Sequence, residues 1–265
     1  MKPQVINSPQ NPLIKSYKKL LKSSGCRRKE SKLALEGPNL IREAVKAGIY
    51  PSTVFFTGLY YENEGREWLI ELQSADKYLL DSSLFNKMAE TENPRGVAAI
   101  VPYDFNNPFP AKSNSSIYII LDSLQDPGNM GTIIRTAAAV GVNTIYCLKG
   151  TVDPFSPKVL RATAGNIFRV RIEEVQNSAL LVEELKAKGI ITAAAIPGSG
   201  KIYWSADLKE PLALMIGNEA RGLSGELLDQ AELKIQLPLA DGVESLNASV
   251  AAGVILYEAL RQRMQ

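Results

Sequence analysis

Short runs of β-branched and apolar residues alternate along this 265-residue chain with stretches of helical periodicity. Over Pro12 to Leu21 the helical pattern sets Leu13, Ile14, Tyr17, Leu20 and Leu21 on one side, and Ser23-Ser24-Gly25 ends it. The run from Lys32 to Glu36 predicts a strand that turns at Gly37-Pro38 into a helix from Asn39 to Lys46, stopped by Gly48. Strands at Thr53–Thr57, Tyr78–Leu80 and Val97–Val101 follow, with a helical stretch over 64–73. A turn through Met88, capped by Ser82 or Ser83, completes a small α/β domain.

From Pro102 to Asn114 the periodicity is lost among prolines and asparagines, the mark of a linker. The reading is a first domain over residues 1–105, a linker over 106–114 and a second domain over 115–265. The second domain predicts strands at 117–121, 144–148, 168–172, 190–195, 212–216 and 233–237. Helices fall between them at 130–140, 157–164, 177–188 and 224–230, and a last helix ends the chain. This order implies a mainly parallel sheet with helices on both faces. In such folds ligands bind beyond the carboxyl ends of the strands, which here means loops 122–129, 217–222 and 238–246.

Composition narrows the chemistry. The chain has no histidine, which removes imidazole general bases, Ser-His-Asp triads and histidine metal sites. Its two cysteines, Cys26 and Cys147, are far apart and read as free thiols, so a cytoplasmic protein is expected. Neither a secretory signal nor a membrane-length apolar run is present in the pattern. The net charge of +2 conceals a basic arm, because residues 1–32 carry nine Lys or Arg and the single acid Glu30. Lys15, Lys18, Lys19, Lys22, Arg27, Arg28 and Lys29 are the candidate RNA-binding residues. A solvated helix face would have the same composition.

Three loops carry candidate chemistry. Asp126-Pro-Gly-Asn-Met-Gly131 puts Asn129 near a helix N-cap with Arg135 less than two turns on. Gly217-Asn-Glu-Ala-Arg-Gly-Leu223 leaves an apolar strand, with Glu219 either orienting a ligand or pairing with Arg221. Glu244, Ser245 and Asn247 sit in a loop that launches a helix lined with Ala248, Ala251, Ala252 and Gly253. The spacing gives no dinucleotide fingerprint and no Walker loop, and the scattered acids match neither a metal box nor a glycosidase pair.

In order and spacing these motifs resemble the SpoU/TrmH family of RNA ribose 2'-O-methyltransferases, over essentially the whole chain. Asn129-Met-Gly131 with Arg135-Thr-Ala137 is similar to its first motif, and Gly217-Asn-Glu219 with Gly222-Leu223 to its second. Leu237-Pro238 with Ser245-Leu-Asn-Ala-Ser-Val-Ala251 is similar to the third. One departure is Asp241, which holds the place where the family usually has glycine. The resemblance implies a deep trefoil knot in the catalytic domain and S-adenosyl-L-methionine as cofactor, held around Gly198, Gly217, Leu237 and Leu246. It implies catalytic roles for Asn129, Arg135, Glu219, Ser245 and Asn247. A guanidinium stays protonated in proteins, so Arg135 is read as orienting the 2'-hydroxyl and its phosphate. The stretch Leu35 to Gly48 resembles the signature of a substrate-binding module related to a ribosomal protein that grips kinked RNA. The expected partner is structured RNA, with 23S ribosomal RNA as substrate. The alternatives are tRNA methylation, or RNA binding and ribosome assembly without turnover. A homodimer is expected through the final helix, motivated by the small apolar face of Ala248, Ala251, Ala252, Gly253, Ile255 and Leu256.

Overall fold

The computed structural model describes residues 3–106 and 116–264, so the linker expected at 106–114 lies, from 107 on, outside the described residues. The chain forms two units. The first takes residues up to 106 together with Phe155–Phe168, and the second takes residues 116–154 and those from Arg169 on.

In the first unit β1 (Gln4–Ile6), α1 (Pro12–Lys22), α2 (Ser24–Glu30) and β2 (Lys32–Glu36) lead into α3 (Pro38–Lys46) and β3 (Thr53–Thr57). A short helix α4 (Gly58–Tyr60), a π-helical turn (Tyr61–Gly65) and α5 (Arg66–Glu71) precede β4 (Asp76–Leu80), α6 (Ser82–Met88) and β5 (Val97–Pro102). The sheet order is β1-β4-β3-β5-β2, with β1, β4 and β3 parallel and β5 antiparallel to both neighbours. Central β3 is buried along its whole length, as its Val-Phe-Phe run demands. α1 buries Ile14, Tyr17 and Leu20, and the Tyr17 ring meets Phe55 of β3 edge-on at 5.6 Å.

Two parts of this unit depart from the sequence pattern. Residues 23–31, expected only as a basic arm, form α2. Ser23 caps it by accepting from the Cys26 amide, and Ser31 ends it in the left-handed region at φ 50°. Within α2, Arg27 is 4% exposed and donates to the Leu20 and Leu21 carbonyls at the end of α1. Its charge is spent on satisfying a helix terminus, so it is not a surface RNA contact. Asp81, rather than Ser82 or Ser83, caps α6. In the Leu35–Gly48 stretch, the buried Glu36 carboxylate accepts from the backbone amides of Glu90 and Thr91 and from the Thr91 hydroxyl.

The excursion Phe155–Phe168, which contains α8 (Pro157–Ala162), joins this unit through aromatic and charged contacts. Tyr103, Phe105 and Phe155 form a cluster with centroids 4.8 to 5.3 Å apart, and the Arg161 guanidinium lies 3.6 Å from Glu90. Gly165, at φ +85°, runs so close to Glu43 that a Cβ would sit 2.5 Å from the Glu43 Cβ.

The second unit contains β6 (Ile117–Leu121), α7 (Pro127–Val140), β7 (Thr144–Leu148) and β8 (Arg171–Val175). It continues with α9 (Ser178–Ala187), β9 (Ile191–Ala195), β10 (Lys201–Ile202) and β11 (Leu212–Ile216). Then come α10 (Gly225–Gln230), β12 (Leu233–Gln236) and α11 (Ala248–Arg263). Its seven strands, in the order β10-β12-β9-β11-β6-β7-β8, are all parallel. β8 starts three residues later than the pattern predicts, because a 3-10 turn over Asn166–Arg169 follows Gly165. The order reverses at β6: the chain runs outward through β7 and β8, then returns beyond β11 to β9. That reversal sets the loops after β6 and β11 side by side.

Helix α11 packs on α7. Ala252, Ile255 and Leu256 are fully buried, and a Cβ on Gly253 would meet the Thr136 methyl of α7 at 3.9 Å. Of the small face expected to pair two copies, Ala252, Ile255 and Leu256 are thus consumed within the chain, where small residues let two helices approach, while Ala248, Ala251 and Gly253 stay half-buried. The exposed apolar residues of α11 are Val250 and Tyr257, with half-buried Val254 between them. No helix among the described residues is long and apolar enough to cross a membrane.

Candidate active site

β6 and β11 pair with Leu121 opposite Ile216, so Asp122 and Gly217 leave the sheet as neighbours. The Asp122 amide donates to the Ile216 carbonyl at 2.9 Å, and its carboxylate accepts from the Ser224 amide at 2.8 Å. Asn218 donates to the Ser123 carbonyl at 2.8 Å and accepts from the Ala220 and Arg221 amides. Gly217 has a steric reason: a Cβ there would collide with the backbone of Gly222 and Leu223, where the loop closes on itself. Gly217, expected at the cofactor, also lets the loop fold.

Asp126, not Asn129, caps α7, accepting from the Asn129 amide at 2.7 Å. Asn129 therefore stands in the first turn, buried, and its side-chain amide must find partners on both ends. Its Nδ2 donates to Glu219 at 3.0 Å, and its Oδ1 accepts from Asn247 Nδ2 at 2.8 Å. Glu219 also accepts from the backbone amides of Gln125 at 3.2 Å and Asp126 at 3.1 Å. Partial burial by itself would raise the Glu219 carboxyl, but the hydrogen bonds from Asn129 and these amides outweigh it and hold the group below its ordinary range. Glu219 thus holds the α7 entry loop, and no ion pair joins it to Arg221 among the described residues.

Asn247 closes the chain of contacts by capping α11, its Oδ1 accepting from the Ser249 and Val250 amides. Those amide protons are thereby occupied, although the sequence alone left them open to a ligand. The line Glu219–Asn129–Asn247 ties together three loops separated by 90 and 118 positions along the chain.

Beside this line lies a cavity of about 520 Å³. Ile196, Leu237, Leu239, Leu246 and Ala251 give it an apolar wall, with Gly217, Asn218, Glu244 and Ser245 along its polar side. Volume and mixed lining suit a small organic ligand, for which pockets of roughly 300–1,000 Å³ are typical. Gly217, Leu237, Leu246, Glu219, Ser245 and Asn247 all border it, as does Pro197, whereas Gly198 does not. Asn218 and the apolar residues Ile196 and Leu239 were missed from sequence, the latter two because nothing marks a half-exposed loop aliphatic as a wall.

Arg135 lies outside the cavity lining, on the exposed face of α7 with Gly128, Thr132 and Ala139. It makes no hydrogen bond or ion pair with another described residue. An extended cation on a helix whose other faces are packed is available to an incoming anion. In the first unit Lys15, Lys18, Lys19 and Lys22 share one face of α1 by their spacing, and Arg28 lies over the Phe105 ring at 5.0 Å. Lys29 is exposed on α2.

Comparison with known proteins agrees with this geometry. Residues 116–257 match the SpoU rRNA Methylase family, and residues 11–99 match the MRM3-like substrate binding domain. An uncharacterized tRNA/rRNA methyltransferase of Synechocystis is 37% identical over 97% of this chain and 94% of its own. The 23S rRNA (guanosine(2553)-2'-O)-methyltransferase of Bacillus subtilis is 32% identical, over 95% of this chain and 97% of its own. The AdoMet-bound SpoU methyltransferase AviRb of Streptomyces viridochromogenes superposes with a TM-score of 0.86 at 26% identity, covering 96% and 99% of the two chains. The AdoMet-bound rRNA methyltransferase of Sinorhizobium meliloti superposes with a TM-score of 0.84 at 28% identity, over 97% of each chain. The two-unit α/β architecture matches the knotted fold of these enzymes. With its parallel sheet, its three joined loops and its matched sequence, the chain belongs to the SpoU rRNA methylase family.

Proposed function

We propose that this protein transfers a methyl group from S-adenosylmethionine to a ribose 2'-hydroxyl of 23S ribosomal RNA. The observation that carries the reading is the Glu219–Asn129–Asn247 line, fixed beside an apolar-walled cavity on the helix that bears the uncommitted Arg135. The 23S rRNA methyltransferase of Bacillus subtilis supports the choice of RNA, and the AdoMet-bound neighbours support the cofactor.

Ile196, Leu237, Leu239 and Leu246 would hold the apolar parts of the cofactor, and Asn218, Glu244 and Ser245 its polar groups. When bound, S-adenosylmethionine supplies an electrophilic methyl group on a cationic sulfur. The chain's own contribution is placement. Glu219 and Asn247 fix Asn129, and with it the start of α7; Arg135, further along that helix, orients the 2'-hydroxyl through the neighbouring phosphate. No histidine is present to act as base, so orientation and proximity are what these residues provide.

The lysine face of α1 would track the RNA backbone, and the stripe Val250, Val254 and Tyr257 would pair with a second copy in a homodimer. Replacing Lys15, Lys18, Lys19 and Lys22 with glutamine is expected to weaken RNA binding and to lower the slope of log affinity against log salt by about 3 units. Cofactor affinity, measured by calorimetry, is expected to stay as it was. The decisive test of the activity is to map 2'-O-methyl positions in RNA from cells with and without the gene. One 23S position should lose its methyl group and regain it with the wild-type gene but not with Arg135→Ala. Loss at a tRNA position instead would move the substrate to tRNA, and no change in any RNA would overturn the reading.

A further inference from the structure

A cavity of about 350 Å³ opens within the first unit, at the carboxyl ends of β3 and β4. These strands are parallel while β5, next to β3, runs the other way, so the loops leaving β3 and β4 and the loop entering β5 meet at one end of the sheet, where the Thr57 amide donates to the Gly96 carbonyl at 2.9 Å. Local sequence shapes the crevice. Thr57, at the end of β3, accepts from the Tyr60 amide at 3.2 Å and starts α4, which widens into the π-helical turn bearing Asn63 and Glu64. Such turns are rare and concentrate at functional sites. Gly65 has no room for a Cβ against the Tyr60 ring. Gly96, at φ +73°, would place a Cβ 2.5 Å from the Thr57 hydroxyl.

Four polar side chains around this cavity are little used by the fold. Asn63 and Asn86 line it, are exposed, and make no hydrogen bond with another described residue. Glu64 and Arg95 face each other at 3.4 Å with side chains 46% and 69% exposed, a loose pair that water competes for. Leu59, also in the lining, is 66% exposed. In the free protein Asn63 and Asn86 bond to water, so their amides and the Leu59 side chain are open to a ligand.

We propose that this cavity takes one unstacked guanine base of the substrate RNA. Guanine offers two adjacent N–H donors, N1 and N2, to a carboxylate, and two acceptors, O6 and N7, to a guanidinium. Glu64 and Arg95 supply these two complements, and the base enters between partners that are only loosely joined. Asn63 and Asn86 each bring both donor and acceptor groups to the remaining ring edge, and Leu59 covers one face. Adenine would set a ring-nitrogen lone pair against the carboxylate, so it is excluded by repulsion as well as by lost bonds.

The inference rests on the reading of this chain as an RNA enzyme, but its test measures binding rather than methyl transfer. The probes are short RNA hairpins with one unpaired loop guanosine, or inosine or adenosine in its place, titrated into the full-length protein by fluorescence anisotropy. Guanosine is expected to bind about tenfold tighter than adenosine, with inosine between because it lacks the N2 donor. Glu64→Gln is expected to cut that preference to threefold or less with an unchanged Tm. Arg95→Ala, the second variant, is expected to do the same by removing the O6 and N7 contacts. Equal binding of guanosine and adenosine hairpins, or a preference that survives both variants, would overturn the proposal. Calorimetry with free GMP distinguishes the source of the base: GMP binding that depends on Glu64, with no guanosine preference among hairpins, would assign the cavity to a mononucleotide and overturn the RNA reading. Guanosine selectivity without any methylated RNA would leave this cavity standing and remove the proposed activity instead.

Discussion

The loops after β11 and β12 both border the 520 Å³ cavity, and they are held in opposite ways. The loops after β6 and β11 are laced together by Asp122, Asn218, Glu219 and Asn129, each using side chain against backbone or side chain. The loop after β12, residues 238–246, has one internal backbone bond among the described residues, from Val243 to Ala240, and its polar side chains lie in solvent. The first system is finished when the protein folds, and the line through Asn129 belongs to it. The second is a wall with little bonding of its own among the described residues. In the proposed transfer, preorganisation would then be concentrated where charge and orientation matter, and the less bonded loop would lie where the cofactor enters and leaves.

The comparison breaks most visibly at Arg135, which stands on the helix that the laced system starts and makes no hydrogen bond or ion pair with another described residue. Arg135→Ala is expected to lower kcat by about a hundredfold or more, close to 3 kcal/mol of transition-state stabilisation. Cofactor affinity should be unchanged, because the residue lies outside the cavity lining. Lysine should restore only part of the rate, since it keeps the charge but not the planar fork. Single-turnover methylation at saturating RNA, with calorimetric cofactor binding, checks both halves. Near-normal transfer by the folded alanine variant would reduce Arg135 to a surface residue.

Glu219 tests the lacing itself. In Glu219→Gln one oxygen becomes an NH₂ group that faces donors, so kcat should fall about tenfold and Tm by a few degrees. The pH dependence gives a separate readout. The folded carboxyl titrates below its ordinary value, so its stabilising contribution is full at neutral pH. That contribution is lost as pH falls from about 4.3, the unfolded value, through the depressed folded one. The glutamine variant should lose this part of the acid limb in thermal melts from pH 6 to about 3. An unchanged acid profile would show that the bonds around Glu219 carry little free energy.

The alternation of strands and helices was legible because buried parallel strands read as short β-branched runs, and Ile117–Leu121, Thr144–Leu148 and Leu212–Ile216 appear as drawn. Two-residue β10 and edge strand β1 carry too little pattern to be seen. Strand order, and with it the closeness of Asp122 to Gly217, is a long-range property that periodicity does not encode. The same holds for Phe155–Phe168, whose helical pattern was plain while its attachment to the first unit was not. Site residues were legible to the extent that their motifs resembled a family. What sequence missed was which groups spend their bonding on the fold, as Arg27 does on α1 and Asn247 on α11.

The smallest effect is expected in the loose loop, and it sharpens the comparison because it separates binding from folding. Leu246 lines the cavity but is 41% exposed, so its side chain has little to lose in the free protein. Leu246→Ala should leave Tm within about 1 °C, the range of a surface change that removes no packed contact. When the cofactor covers this wall, however, the missing methyl groups forfeit apolar burial of roughly 1 kcal/mol, so the cofactor Kd should rise about fivefold. Leu237, less exposed at the end of β12, should show a larger loss of affinity with some loss of Tm. Hydrogen exchange supplies the independent measurement: amides at 238–246 should exchange quickly in the free protein and slow on adding S-adenosylmethionine. The amides of Gln125, Asp126, Asn129 and Met130 should be slow in both states, because their bonds to Glu219 and Asp126 exist without ligand. Equal protection of the two loops before cofactor is added would mean that the wall is already built, and a fall in Tm with Leu246→Ala would mean the same.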